Sequence, residues 1–348
     1  MADLRTEWMG LALQSPFVLA ASPLSKSPQD VRQAIEAGAG AVVMHSLFEE
    51  QVVGEQMAAH RFVDMRRDAD AEARSVFPDA DLSALDAEAY VYALEHLRQQ
   101  IGVPIVASLN GTTAGGWVRF AALLEGAGAD ALELNLYDIA TAPDEDAALL
   151  EARQLALVES VVSAVRIPVC VKLSPFYTAL PAFVLKLAGL GVRGVTVFNR
   201  LYQPVPDIDA LEVKRELVLS TPAELPLRLQ ALALLSPLLS ARCHGGAALE
   251  LACSGGVHSG LDAAAALLCG AQVVQLASVL LEKGPAQVSA LRSQLDAWLD
   301  DKGYASVAEA RGVLDLSRAP DPHAWHRLNY MQLLEGWQPS AHWRQCNG

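Results

Sequence analysis

Four times in this chain a helix-ending phrase runs directly into an apolar strand: EAGAGAVV (36–43), GAGADALEL (126–134), GLGVRGVTV (189–197) and CGAQVVQL (269–276). A glycine at a helix C-cap takes the left-handed conformation that other side chains resist, and the chain then turns at once into the next strand. The phrase marks a repeated βα unit. Eight apolar runs carry the matching strand signal: 17–21, 41–45, 104–109, 131–136, 168–173, 194–198, 248–253 and 273–278. Their length and β-branched content suit buried parallel strands. Helical patterns fill the gaps, near 28–37, 86–100, 114–126, 146–165, 179–189, 222–240, 260–269 and 285–302. Within successive pairs, strand starts lie 24 to 27 residues apart, room for one compact βα unit. Eight such units predict a closed (β/α)8 TIM barrel, with an open eight-stranded sheet as the alternative.

The chain of 348 residues is read as one domain, 1–348, with 306–348 as a C-terminal helical tail packed on it. Two stretches break the rhythm: 46–85 after the second strand, and 199–221 after the sixth. Both are long loops at a strand's C-terminal end, the face that carries barrel active sites, and so are candidate lids. His323, Trp325, His326 and Trp337 lie in the tail and suit a helix packed outside the barrel better than a metal site.

Composition excludes several functions. A net charge of −14 argues against a nucleic-acid binder and against docking on anionic membranes. The five cysteines form no CxxC pair, so neither a zinc ribbon nor an iron–sulfur cluster is encoded, and no metal is expected. Their pattern suits a reducing cytosol. MADLRTEWMG has no apolar signal region, and no apolar stretch reads as a membrane span. A cytoplasmic protein is expected.

Polar groups gather at the predicted strand ends: Ala21-Ser22, His45-Ser46, Asn110-Gly111, Asn135 to Asp138, Lys172 and Ser174, Asn199-Arg200, Ser254-Gly255-Gly256 and Ala277-Ser278. SGGVHSG (254–260) joins the seventh strand to a helix. Paired glycines let backbone amides approach an anion, and the helix N-terminus adds its positive end, so this loop and the neighbouring Ala277-Ser278 suit a phosphate. A tight turn is the plainer reading. Lys172 inside VCVKL is either the partner of Glu133, which shares its inward alternation, or a cation set against a developing anion. Asn110, Asn135 and Asn199 can each donate and accept, as a heterocycle rich in amides and carbonyls would require.

Taken as a set, SPFVLAASP, ELNL, VKLSP, VFNR and SGGVHSG…GAQVVQLAS resemble the dihydroorotate dehydrogenases, from about residue 4 to 305 and in particular their soluble, class 1-like branch. The resemblance implies FMN on a (β/α)8 barrel. It implies a phosphate on Gly255, Gly256, Ala277 and Ser278, with Ser254 also among the cofactor-binding residues. Ala21, Ser22, Ser46 and Phe198 would line the flavin, with Asn110 and Asn135 near the ring. Lys172 would face the N1/O2 side and stabilise the reduced, anionic flavin. Asn135 and Asn199 would also bind a dihydropyrimidine. In the family's reaction a base takes a proton from dihydroorotate, a step of pyrimidine biosynthesis, and a hydride passes to flavin N5. A homodimer is implied by the resemblance alone. Fumarate, a quinone or a partner protein remain open as electron acceptor.

The chain also departs from the family. Asp138 stands where the family has a cysteine or serine base. Ala140 replaces a substrate-binding asparagine, His45 replaces a lysine, and ELVLSTPAEL replaces a glycine-rich loop. Asp138 as base needs a raised pKa, and His45 is a second candidate. Three functions follow: an FMN oxidoreductase acting on dihydroorotate or a related cyclic amide; a flavin-binding relative serving electron transfer or partner docking; and a flavin-free phosphate-binding lyase or isomerase.

Overall fold

Hydrogen bonds between the last barrel strand and the first decide between barrel and open sheet. A computed structural model describes residues 2–48, 87–110, 114–136, 140, 142–200, 204–214, 217–240, 248–319, 321 and 324–336. An antiparallel hairpin, β1 (Thr6–Trp8) and β2 (Leu11–Leu13), precedes the barrel. The barrel strands are β3 (Phe17–Leu19), β4 (Ala41–Phe48), β5 (Ile105–Asn110), β6 (Ala131–Asn135), β7 (Val169–Leu173) and β8 (Gly194–Val197). A second hairpin, β9 (Val205–Asp207) and β10 (Glu212–Lys214), stands outside it. β11 (Glu250–Ser254) and β12 (Val273–Leu276) complete the barrel. Val274 to Leu276 pair in parallel with Phe17 to Leu19, which closes the ring and rules out the open sheet.

Around the strands lie α1 (Pro28–Glu36), α2 (Ala87–Gln100), α3 (Ala114–Gly126), α4 (Ala147–Ala164), α5 (Leu180–Gly189), α6 (Leu225–Ser240), α7 (Gly260–Leu268), α8 (Ser278–Lys283) and α9 (Gln287–Lys302). Local chemistry sets their ends. Ser27 accepts from the Asp30 amide at the start of α1, and Ser259 and Asp262 form a capping box on α7. The glycines of the four repeated phrases, Gly38, Gly128, Gly191 and Gly270, have φ between 90° and 108°, as the sequence requires.

Two apolar layers result. The larger fills the space between strands and helices, with Phe17, Leu19, Leu134, Phe183 and Leu291 all buried. The smaller lies inside the barrel, where Val18, Val43, Val106, Cys170, Ala252 and Val273 meet Trp8 and Met9 of the first hairpin. That hairpin plugs the floor.

After α9 the chain continues through α10 (Val307–Ala310), whose Val307 and Ala310 are buried, to α11 (Trp325–Glu335), exposed from Arg327 onward. His323 and Trp337 lie outside the described residues, as does nearly all of the predicted loop after β4. The loop 199–221 contains the short hairpin β9–β10, and its Leu217 and Leu219 border the mouth. No described helix is long and apolar enough to cross a membrane.

Candidate functional site

Side chains alternate along a strand, so residues two apart share a face. On β4 a bulge between Val43 and Ser46 breaks the alternation and sets Ser46 beside Ser108. On the other strands, two positions above the apolar floor, the inward positions become polar: Ser108 on β5, Glu133 on β6, Lys172 on β7, Thr196 on β8 and Gln275 on β12. All are buried. Lys172 Nζ lies 3.2 Å from Glu133 Oε1 and donates to Gln275 Oε1 at 3.0 Å. Gln275 Nε2 donates to Glu133 Oε2 at 2.5 Å, and Thr196 Oγ1 donates to the same oxygen at 3.1 Å. The buried carboxylate thus has three partners, as a charge in a low-dielectric site needs. The pairing with Glu133 is the reading the geometry bears out, and Lys172 also borders the cavity at the strand ends.

One turn higher sits an amide and hydroxyl cluster. Asn135 Nδ2 donates to Ser108 Oγ at 2.9 Å, to Leu109 O at 3.2 Å and to Ser46 Oγ at 3.3 Å. Asn199 Nδ2 reaches Asn135 Oδ1 at 3.5 Å. Asn110 ends β5 opposite Phe48 of β4 and lines neither of the two cavities at the mouth. Those cavities, of about 80 and 410 Å³, share Ala21, Asn199, Arg200, Ala277 and Ser278, so they form one mouth. The smaller contains Phe198, Ser254, Gly255, Gly256 and Lys172; the larger contains Ser22, His45 and Ser46.

Unspent polar capacity faces this mouth. Ser22 Oγ and both ring nitrogens of His45 are buried without a hydrogen-bond partner among the described residues. Burial, reinforced by the Lys26 ammonium and offset by the Ser25 backbone, pushes the His45 pKa down to about 4, so the ring is neutral at physiological pH. Gly255 and Gly256 have φ of 87° and 81°. A Cβ on Gly256 would fall 2.7 Å from Leu225 N, which leaves no alternative to glycine in this turn.

The loop ELVLSTPAEL brings in groups that sequence reasoning did not single out. Ser220 Oγ accepts from Gly256 N at 3.1 Å and bonds Ser278 Oγ at 2.8 Å. Glu224 binds Arg200 Nη1 at 2.8 and 3.0 Å, and Arg228 Nη2 at 3.3 Å. Burial opposes ionisation of Glu224, but Arg200, the Thr221 amide and Arg228 together hold its pKa below the usual carboxylate value. The signals were a Thr-x-x-Glu capping pattern and one arginine in an apolar run, LPLRLQAL. Asp138 lies outside the described residues; neighbouring Ala140 is exposed.

The sequence profile that describes dihydroorotate dehydrogenase matches residues 3–299. The chain belongs to the dihydroorotate dehydrogenase family. This is a family of oxidoreductases acting on CH–CH groups. One relative, from Aeropyrum pernix and provisionally named dihydroorotate dehydrogenase A (fumarate), is 30% identical over 62% of this chain and 68% of its own. The catalytic subunit of dihydroorotate dehydrogenase B (NAD(+)) from Desulforudis audaxviator is 28% identical over 61% of this chain and 67% of its own. Its counterpart from Methanocella arvoryzae is 28% identical over 78% and 85%. Where the resemblance implies a glycine-rich loop, residues 217–225 supply the hydroxyls of Ser220 and Thr221 and the carboxylate of Glu224, which ties Arg200 to Arg228.

Proposed function

We propose that this barrel is a cytoplasmic FMN-dependent oxidoreductase that converts (S)-dihydroorotate to orotate. The observation that carries the reading is the convergence, at one mouth of a family barrel, of a glycine turn, a buried lysine and unpartnered polar groups. FMN, when bound, supplies the hydride acceptor. Gly255, Gly256, Ala277 and Ser278 hold its phosphate. Ala21, Ser22, Ser46 and Phe198 flank the ring, with Lys172 at its electron-rich edge; Asn110 borders neither cavity and is not among them. Glu133 and Gln275 fix the position of that ammonium.

Asn135 and Asn199 orient the amides of the dihydropyrimidine, and His45 offers it a neutral imidazole. A ring with a pKa near 4 is a weak proton acceptor; Asp138, which stands at the position of the family's base, takes that role in this proposal and needs a pKa raised above the ordinary carboxylate value. The active species is a homodimer that passes electrons to a small acceptor or a partner protein.

The purified protein should be yellow, with a flavin absorption band that bleaches on anaerobic mixing with dihydroorotate. Stopped-flow against a panel of dihydropyrimidines then ranks substrates. A colourless protein whose absorption does not change on adding FMN rejects the proposal in favour of a flavin-free barrel. A yellow protein that no dihydropyrimidine bleaches points to electron transfer alone. Asp138→Asn should slow bleaching about a hundredfold or more and remove its dependence on one ionisation; an unchanged pH profile removes Asp138 from the base role.

A further inference from the structure

The last described helix carries an apolar face with no cover among the described residues. Leu328, Tyr330, Met331, Leu333 and Leu334 of α11 are between 46% and 67% exposed. The N-cap, Ala324, offers no capping side chain. A helix of 11 residues is marginal in water on its own, and most helical stability comes from packing an apolar face. Exposed apolar patches of this kind mark contact sites.

The order of residues around Met331 shows what fits. On a helix, positions three and four apart share a face. Leu328 and Leu334 stand three residues before and after Met331, and Arg327 and Glu335 stand four before and after. The face is therefore a Leu–Met–Leu centre with a positive charge at one end and a negative charge at the other. Neither charged side chain has an ion-pair partner among the described residues. A two-fold axis at Met331 maps this pattern onto itself. Laid antiparallel, two copies bring Met331 against Met331, Leu328 level with Leu334, and Arg327 level with Glu335 at both ends. A parallel pair would set like charges side by side.

We infer that α11 is a self-association surface on which a second copy of this chain seats its own α11 antiparallel. The helix follows the stretch 3–299 that matches the family profile, so the contact is an addition to the barrel. It is independent of the flavin reading above, which stands or falls without it. Other occupants, a different protein or residues 337–348 of the same chain, place no demand on the symmetry of the face. Two short helices bury less than the roughly 800 Å² per partner of a standard complex, so the association is weak and depends on concentration.

The test measures the mass of the full chain by sedimentation velocity, from micromolar to near-millimolar protein. At the top of that range wild type should approach twice the mass of Met331→Lys, which brings two ammonium groups together at the axis. Arg327→Glu and Glu335→Arg should each weaken association about tenfold, because each sets like charges level at both ends. The double variant restores opposite signs and should associate as wild type does. All these positions are exposed, so thermal unfolding of the barrel should not move. Equal masses for wild type and Met331→Lys at every concentration give the face to another occupant and overturn the inference. A double variant that associates no more tightly than either single one overturns it as well.

Discussion

The floor and the mouth of this barrel are built by the same strands, two residues apart, and they obey opposite rules. Val18, Val43, Val106, Ala131, Cys170, Ala252 and Val273 form an apolar floor sealed by Trp8 and Met9. Ala20, Ser108, Glu133, Lys172, Ser254 and Gln275, one side-chain repeat further along, line a mostly polar layer. A strand repeat is only roughly 6.6 Å. Over that distance the barrel passes from side chains that favour burial to a carboxylate and an ammonium that resist it. The lower layer accounts for the fold; the upper one comes at a cost in stability, and the proposed flavin site would give it a reason.

The contrast is open to direct attack. The largest effect should come from Glu133→Leu, which leaves Lys172 buried beside only Gln275 and should lower unfolding free energy by about 3–5 kcal/mol. Adding Lys172→Met should recover most of that loss in urea melts, because a packed apolar pair suits the interior at least as well. A double variant no more stable than the single would mean that the ion pair holds the barrel together.

Next comes pH, where the two ends should pull in opposite directions. At the mouth, burial depresses the His45 pKa to about 4, against an ordinary 6.5. As pH falls from about 6.5 toward 4, the unfolded chain takes up a proton that the folded one refuses, and roughly 3 kcal/mol is lost. At the floor, burial above all, with Glu7 adding to it, raises the Glu250 pKa to about 7 from 4.5, although the Met9 amide, Arg311 and Arg193 work against it. As pH rises from about 4.5 to 7, the unfolded chain releases a proton that the folded one keeps, and a similar amount is lost. Between about 4.5 and 6.5 the two slopes offset each other. Chemical denaturation of Glu250→Gln should show stability rising with pH across that window, and of His45→Gln stability falling. Slopes of the same sign in the two variants would contradict the assignment.

The smallest effect tests the seam between layers. Tyr90 OH accepts from the Ser108 amide at 3.2 Å, and its ring packs on His45 with centroids 4.9 Å apart. Tyr90→Phe keeps the ring and loses the hydroxyl, for about 1 kcal/mol in thermal unfolding.

The barrel was legible because each strand is a short apolar run followed by a helix and announced, in four cases, by a glycine. The N-terminal hairpin was not. Thr6–Trp8 and Leu11–Leu13 have three residues each, too few for any period to show. Ser278 was assigned to the end of the last strand, yet it opens α8, because VVQLAS carries no break between strand and helix. At the mouth, Lys172 and the glycine pair stood out as misfits in apolar surroundings. Arg228 sits in LPLRLQAL, where an arginine on a helix reads as a solvated face, and only the tertiary fold buries it against Ser254. Asp138, the residue on which the base assignment turns, lies outside the described residues.

The hairpin at the bottom has one more consequence. With Trp8 and Met9 stoppering that end, the ring of strands is a cup and not a tunnel. A small molecule can therefore reach the buried lysine layer only from the rim, and two that both need contact with that layer would have to come in turn.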